Sequence, residues 1–251
     1  MDGRDAPARI AEVIAAHRPD IVALQELDVR RPRSGGIDQA EAVAGHLAMS
    51  GVHFHPALRL VEEEYGDAIL TDLPCRLVRS GPLPGPPRAE TRGALWVSVE
   101  ADGGDVQVVN THLGLWPSER LAQAGALLGP DWLGDPRCAG PALLVGDFNA
   151  TPRSAAYRRL AAALTDAQLA PGIGARPRPT FPSPFPMLRI DHVFARGVRI
   201  AAALADCGPL ARIASDHLPL VVDFELAGGA ARPTADGSEP PPGRYPGGGR
   251  P

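Results

Sequence analysis

Four apolar runs of this chain each carry a short polar motif at one end, and this pattern constrains the fold more than any other feature. The run IVALQE closes on Gln25–Glu26, VQVVNTHL contains Thr111–His112, ALLVGDFN closes on residues 147–149, and residues 215–217 precede LPLVVDFEL. Apolar, β-rich runs of this length predict buried strands. Each motif therefore lies at a strand end, and one shared sheet edge would gather them into a pocket.

The residue types in these motifs indicate the chemistry of such a pocket. They are carboxylates, amides and imidazoles, and a further fragment, RIDHVF, adds Asp191 ahead of another short apolar run. Oxygen and imidazole groups at this density suit a hard divalent cation and phosphate chemistry. The sequence has no Walker-type glycine-rich loop, no GxSxG elbow and no clustered cysteines, so competing reaction classes lack the residues to carry them.

Taken in order, five motifs resemble those of the endonuclease/exonuclease/phosphatase superfamily, the deoxyribonuclease I-like metallohydrolases. The motifs QE, THL, GDFN, RID and SDH stand here at Gln25–Glu26, Thr111–Leu113, Gly146–Asn149, Arg189–Asp191 and Ser215–His217. Each is weak alone, but all five follow the family's order and approximate spacing, and the resemblance extends to about Leu226. It implies a four-layer α/β/β/α sandwich, in which two mixed β-sheets pack face to face between helices.

The resemblance also implies a metal site for Mg²⁺ or Mn²⁺. Glu26 matches the family's central metal ligand, and the family residue at Asp216 lies beside the metal. Without the other motifs, a carboxylate at the end of a buried strand is better explained by a salt bridge to Arg30, Arg31 or Arg33, because an unpaired buried charge is costly.

Catalytic roles are implied by the same resemblance. Asp147 would accept a proton from the attacking water, and Asn149 would orient that water. Asp191 would hydrogen-bond His217, fix its tautomer and raise its pKa, so that the protonated imidazole stabilises charge on the phosphoryl oxygens. His112 would stabilise or protonate the leaving group.

Structural alternatives stay open for several of these residues. Asp-x-Asn commonly starts a turn, Asp216–His217 could cap a local structure, and a lone histidine after a strand is often a satisfied polar residue. Arg92 is a candidate phosphate clamp, for which a structural ion pair is an equal alternative. Asp67 stands where the family often has the asparagine of GNAIL, and its carboxylate either hydrogen-bonds His112 or repels the substrate.

These residues together predict a divalent-metal-dependent hydrolase of phosphate esters that uses in-line attack of activated water. The activity would be that of a phosphodiesterase or phosphatase, with nuclease activity left open. The alternative from another class is a non-catalytic module of the same fold that binds a phosphate or a partner. A net charge of −4 and an aromatic content of 5% disfavour an extended nucleic-acid platform, which would use cationic and stacking residues.

Length and composition favour a single domain. The 251 residues carry one ordered set of motifs, which predicts a domain over residues 1–226. Residues 227–251 are rich in Gly and Pro and predict a disordered tail, because they cannot bury enough apolar surface to fold. No apolar stretch reaches the ~18 residues of a membrane span. We expect a soluble, cytoplasmic monomer with reduced thiols at Cys75, Cys138 and Cys207.

The family's first strand, which ends in an asparagine of a TYN- or TWN-like motif, has no counterpart in this sequence. The chain opens with MDGRDAPARI, at the helix that follows that strand in the family. In the family the asparagine helps to hold the metal and the phosphate. We expect the natural start to lie upstream, and the cytoplasmic location follows only if Met1 is the true start; a gene fragment and an impaired site are the alternatives.

Overall fold

A computed structural model describes residues 6–59, 63–87 and 89–226, so the predicted tail at 227–251 lies outside the described residues. The helices are α1 Ala6–Ala15, α2 Gln39–Leu47, α3 Pro117–Leu127, α4 Ala155–Ala161 and α5 Ala211–Ala214, with 3₁₀ turns at Pro32–Ser34, Pro136–Cys138 and Ala167–Leu169. The strands are β1 Ile21–Val29, β2 Gly51–Arg59, β3 Glu64–Thr71, β4 Cys75–Pro82, β5 Gly93–Ala101, β6 Gly104–His112, β7 Ala142–Asp147, β8 Thr165–Asp166, β9 Asp191–Arg196, β10 Val198–Ala205 and β11 Leu220–Leu226.

The strands form one six-stranded sheet and a facing layer of two smaller sheets. The six-stranded sheet has the order β4-β5-β6-β7-β9-β8. Its strands run antiparallel to their neighbours except for the parallel pair β6 and β7. The facing layer contains a three-stranded sheet, β1-β3-β2, and the hairpin β10-β11, which form separate sheets within the described residues.

Side chains that alternate along the strands fill separate cores on the two faces of each sheet. On β5, Leu95 and Val97 point between the sheets, where they join Ile69 of β3. The intervening Trp96 belongs to the other core, which includes side chains of helices α3 and α4. Because successive residues of a strand face opposite sides, a continuous apolar run such as GALWVSV can serve both cores.

Helices α1 and α2 cover the outer face of the three-stranded sheet. Val22 of β1 packs in one cluster with Ala11 of α1 and Val43 of α2. Farther along α1, Val13 packs against α5 and Leu218. The layers are therefore α3 and α4, the six-stranded sheet, the two smaller sheets, and α1 and α2. This arrangement confirms the predicted α/β/β/α sandwich, although the second layer consists of two antiparallel sheets and not of one mixed sheet.

The helix starts show which local signals the chain uses. The hydroxyl of Ser154 caps α4, because it accepts a hydrogen bond from the backbone N–H of Tyr157. Serine is a common cap residue, but Ser118 lies inside α3 and does not cap it. Trp116 occupies the cap position and Pro117 begins the helix, where the missing amide hydrogen of proline costs nothing.

Two strands differ from what the sequence predicts. Residues 80–82 begin a proline-rich stretch that predicts a loop, yet they end β4, which is an edge strand where proline is tolerated. The alanine-rich sequence of β10 does not predict a strand, and its pairing with β11 overrides its weak β-propensity. No helix in the described ranges is long and apolar enough to cross a membrane.

A bulge in β1 is held by a side chain from the opposite sheet. The register of β1 against β3 shifts just after Leu24, and Glu26 in the bulge has a φ of 62°. Asn110 of β6 donates from Nδ2 to the carbonyls of Leu24 and Ala68, both at 2.9 Å. Its Oδ1 accepts Nε2 of Gln25 at 2.7 Å. One buried amide thus supplies partners to polar groups at the bulge.

Replacing Asn110 with alanine should lower the free energy of unfolding by about 3 kcal/mol, because two carbonyls and the Gln25 amide lose their partner. Urea denaturation measures the change. Asp105→Ala, at the exposed end of the same strand, is the control and should shift stability by less than about 0.5 kcal/mol. If the Asn110 variant is as stable as the unmodified chain, the amide does not hold the bulge.

Candidate functional site

Polar residues of three neighbouring strands meet at one edge of the six-stranded sheet. His112 at the end of β6 is in register with Asp147 at the end of β7. Asp147 is in turn in register with Asp191 at the start of β9. The parallel strands β6 and β7 both end at this edge, and the antiparallel β9 begins there. The topology therefore brings an imidazole and two carboxylates together.

A tight turn after β7 positions the GDFN residues. Gly146 has a φ of 138°, and a Cβ there would lie 1.8 Å from the carbonyl oxygen of Thr111, so glycine is required. Asn149 has a φ of 47°, and its backbone N–H donates to Oδ1 of Asp147 at 2.7 Å. Its side-chain amide donates to the carbonyl of Leu113 at 2.9 Å. The turn favoured by Asp-x-Asn is present, and it places both side chains in the site.

His217 is held by contacts on several sides. Its Nδ1 lies 2.9 Å from Oδ2 and 3.1 Å from Oδ1 of Asp191, so the expected hydrogen bond is present. The Thr180 hydroxyl donates to the same carboxylate. The rings of Phe181 and His217 lie 4.7 Å apart, measured between centroids. Because Nδ1 is engaged, Nε2 is left facing Oδ2 of Asp147 at 3.9 Å.

The surrounding carboxylates determine the charge of His217. Burial alone would lower the pKa of this imidazole, but the hydrogen bond and charge of Asp191, with the charges of Asp147 and Asp216, raise the pKa from 6.5 to about 9. His217 is therefore a cation at neutral pH. Burial and the nearby charge of Asp191 raise the pKa of Asp147 well above its ordinary value, although the Asn149 amide and His217 oppose this effect.

His112 is a second imidazole, and its pKa is lowered where that of His217 is raised. Both ring nitrogens face donors, because Nδ1 lies 2.9 Å from a guanidinium nitrogen of Arg92 and Nε2 lies 3.1 Å from Nδ2 of Asn149. Arg92 can only donate, so Nδ1 is assigned as the acceptor and the proton of the neutral ring is assigned to Nε2. Nε2 lies 3.5 Å from Oδ2 of Asp147. Burial lowers the pKa of His112 from 6.5 to about 3, with the positive charges of Arg92 and His217 contributing. This ring is a neutral hydrogen-bond donor.

Glu26 approaches the same point from the three-stranded sheet. Its side chain is 59% exposed, and Oε1 lies 3.7 Å from Nδ1 of His112. The Tyr65 hydroxyl hydrogen-bonds its carboxylate. The backbone N–H of Glu26 donates to the carboxylate of buried Asp67. The Glu26 backbone is therefore a partner of Asp67, a contact that neither sequence alternative for Asp67 anticipated.

The site concentrates negative charge that a cation would offset. Burial raises the pKa of Asp67 to about 7, and the charges of Glu26 and Asp147 add to this effect. Asp147, Asp191 and His217 each offer one ligand atom, and these atoms all lie within 4.8 Å of one another. Carboxylate oxygens and imidazole nitrogens are suitable ligands for divalent ions. The residues present therefore fit such an ion.

For three predicted site residues, the surroundings in the structure do not by themselves establish the predicted role. Within the described residues, the group close enough to share an ion does not include Glu26 or Asp216. Glu26 lies beside His112, whereas Asp216 has an exposed side chain. The buried guanidinium of Arg92 contacts His112 and lies 3.4 Å from Glu90, which is the ion-pair alternative for this residue. The predicted roles of Glu26, Asp216 and Arg92 stay predictions.

Four supporting residues were missed by the sequence motifs. Thr180 and Phe181 lie in a proline-rich stretch that predicts only an irregular loop, so no signal could have assigned them. Tyr65 directly precedes GDAIL, and the pairing of β3 with β1 would have placed it near Glu26. Asn110 ends the apolar run VQVV, where a buried amide requires partners; that signal was available.

Comparisons with known proteins identify the family of this chain. A model of the Endonuclease/Exonuclease/phosphatase family matches residues 2–217. The uncharacterised protein YbhP of Escherichia coli K12 is 30% identical over 167 residues, which are 66% of this chain and 64% of YbhP. The chain thus matches less than two thirds of the length of that relative.

Solved structures share the fold. An endonuclease/exonuclease/phosphatase from Beutenbergia cavernae is 27% identical, with a TM-score of 0.73 over 91% of this chain and 68% of that chain. The mannosyl-6-phosphatase Bt3783 of Bacteroides thetaiotaomicron is 21% identical, with a TM-score of 0.71 over 89% of this chain and 91% of that chain, a likeness of fold alone.

The family match indicates the class of chemistry that a site of this kind carries out in related proteins. Members of the matched family are hydrolases that act on phosphate esters and generally use divalent metals. The matched range contains the residues of the candidate site, from Glu26 to His217. The chain therefore belongs to the endonuclease/exonuclease/phosphatase family.

Proposed function

We propose that this protein is a divalent-metal-dependent hydrolase of phosphate esters, a phosphodiesterase or phosphatase that activates water for in-line attack. The observation that carries the proposal is the placement of Asp147 between two imidazoles. Its Oδ2 lies 3.5 Å from Nε2 of His112 and 3.9 Å from Nε2 of His217. A base, a neutral donor and a cationic donor thus surround one point.

Asp147 is the proposed base. Its Oδ1 is occupied by the backbone N–H of Asn149, which leaves Oδ2 to contact water. The raised pKa of Asp147 makes its ionised form a better proton acceptor near neutral pH. Water forms the new P–O bond and gives a proton to Asp147, while the P–O bond to the ester oxygen breaks and the alcohol takes a proton from solvent. Asn149 orients the water and the phosphate.

The two imidazoles stabilise the transition state in different ways. Asp191 keeps His217 protonated, so Nε2–H of His217 faces the negative charge that develops on the phosphoryl oxygens. His112, with a pKa of about 3, is not an imidazolium at neutral pH. Its role is therefore that of a fixed hydrogen-bond donor, which Arg92 orients through Nδ1.

The proposed ligands of Mg²⁺ or Mn²⁺ are Glu26 and Asp216. Glu26 presents an exposed carboxylate from the bulge of β1, and a neutral imidazole would be needed if His217 were to be a ligand instead. The hydrogen bond with Asp191 favours the protonated ring, so His217 is not among the proposed ligands. When bound, the ion supplies Lewis-acid polarisation of the phosphate oxygens.

A hydrolysis panel in Mg²⁺ or Mn²⁺ tests the function, with DNA, RNA, inositol phosphates, sphingomyelin and bis-p-nitrophenyl phosphate as substrates. Turnover of at least one ester that stops with a chelator is expected. Binding of phosphate without any turnover would favour the non-catalytic alternative. Nuclease activity, a monomeric state and a cytoplasmic location stay predictions.

Glu26→Gln should abolish metal-dependent turnover and weaken Mn²⁺ binding by at least about tenfold, because it removes an anionic ligand and almost no volume. Isothermal titration calorimetry measures the affinity. Glu41→Gln, on helix α2, is the matched control and should bind Mn²⁺ as the unmodified chain does. Equal affinities for all three proteins would remove Glu26 from the metal site.

Asp147→Asn should lower kcat by about three orders of magnitude with a much smaller change in KM, because the base acts on the transition state. Steady-state kinetics on any ester found in the panel measures the effect. His217→Ala should behave similarly. A loss confined to KM would show that these side chains only bind substrate.

His217 should titrate near 9 in the metal-free protein, and Asp191→Asn should lower its pKa, because the amide removes the negative charge that favours the imidazolium. Imidazole ¹⁵N chemical shifts followed against pH in the presence of a chelator measure both values. The raised pKa contributes stability below the unfolded value of 6.5, and this contribution is lost as the pH rises through about 9. An unchanged pKa in the variant would rule out Asp191 as the cause.

A further inference from the structure

The loops that leave the candidate site carry the most exposed large apolar side chains of the described residues. Leu115 and Trp116 are 66% and 65% exposed, and Phe185 and Met187 are 79% and 75% exposed. Other large apolar side chains in the described ranges are at most 56% exposed. We call these four residues the apolar rim. Such a concentration beside a catalytic centre marks an interaction surface.

One half of the apolar rim is anchored to the GDFN turn. The backbone N–H of Leu113 donates to the carbonyl of Asp147 at 2.9 Å, and the carbonyl of Leu113 accepts the side-chain amide of Asn149. Leu115 and Trp116 follow within three residues, just before helix α3 begins. The loop that carries these two residues therefore leaves the site beside His112.

The other half is anchored to His217. Phe181 and Leu188 exchange backbone hydrogen bonds of 3.0 and 2.8 Å, which close the segment that carries Phe185 and Met187. The Phe181 ring packs on the ring of His217. Because Asp147 lies between His112 and His217, the loop that carries one half of the apolar rim leaves the site beside His112 and the loop that carries the other half leaves it beside His217.

The two loops that carry the apolar rim contain no acidic residues, whereas the candidate site is rich in them. Residues 113–118 and 171–188 contain no Asp or Glu, and the second segment contains Arg176 and Arg178, both exposed. The second segment thus combines large apolar side chains with arginines and no acids, a composition typical of segments that insert into the boundary between lipid headgroups and acyl chains. The centre, by contrast, is rich in carboxylates.

We propose that the apolar rim docks on a lipid surface and that the substrates are phosphate esters with long alkyl chains, taken from that surface. This inference rests on the proposed function, because the phosphate must reach Asp147 between the two loops. Two of the four rim side chains, Leu115 and Met187, are aliphatic and offer no ring on which a nucleobase could stack, whereas base-binding platforms line a cationic groove with aromatic faces.

Trp116 is a built-in reporter of docking. The other two tryptophans, Trp96 and Trp132, are buried, so a shift of emission on adding a ligand reports chiefly on Trp116. Vesicles of dioleoylphosphatidylglycerol and dioleoylphosphatidylcholine in equal parts should shift the emission to shorter wavelength. Phe185→Ser/Met187→Ser should weaken vesicle binding by about tenfold without changing the melting temperature.

A matched control removes apolar side chains elsewhere. Leu77→Ser/Leu204→Ser changes two exposed residues on β4 and β10, and this variant should bind vesicles as the unmodified chain does. The absence of an emission shift with vesicles would overturn the proposal, and so would equal weakening by both double variants. A shift with a single-stranded oligonucleotide but not with vesicles would assign the apolar rim to bases and overturn it as well.

Measurements of ester hydrolysis distinguish a failure of this inference from a failure of the proposed function. Hydrolysis of dihexanoylphosphatidylglycerol should rise when the ester forms micelles, and Phe185→Ser/Met187→Ser should lose that rise while keeping the rate on monomeric ester. Vesicle binding without hydrolysis of any ester would support docking and contradict the hydrolase function. Hydrolysis of small esters without vesicle binding would support the hydrolase function and overturn the lipid surface.

Discussion

The hydrogen bonds of Asn110 join the two sheets at the place where the site begins. Its amide lies in β6, two residues before His112, and satisfies the carbonyls and the glutamine at the bulge of β1. The same bulge turns Glu26 out of the strand in a left-handed conformation. A polar link inside an otherwise apolar interlayer costs little when all its partners are satisfied. The hydrogen bonds of Asn110 also fix how Glu26, which belongs to one sheet, faces His112 in the other sheet.

Unbalanced charge is the second constraint on this site. Four carboxylates, those of Glu26, Asp67, Asp147 and Asp191, influence one another, and burial opposes their ionisation where the side chains are inside. Of the two imidazoles in the site, that of His217 is protonated and that of His112 is neutral. Without a ligand, the negative charges of the carboxylates are only partly offset. Such a site is suited to bind a cation together with an anionic ester.

The sequence alone could predict strand ends but not the contacts that connect them. His112 and Asp147 close apolar runs, so their place at a sheet edge follows from patterning, and the resemblance to a family supplied the four layers. The bulge at Glu26 could not be read from IVALQE, because its geometry depends on Asn110, a residue of the opposite sheet. Thr180 and Phe181 lie in an irregular segment, where tertiary contacts alone determine which side chains reach His217.

The distance between the sheets sets the dimensions of the site, because Glu26 belongs to one sheet and Asp147 to the other. That distance depends on the side chains packed between them, such as Ile69, Leu95 and Val97, which touch no substrate. Protein interiors are close-packed and relax only partly when a side chain shrinks. The apolar interlayer therefore acts as a spacer between Glu26 and Asp147. A change in its bulk would change the separation of these two carboxylates while every polar residue at the edge stays the same.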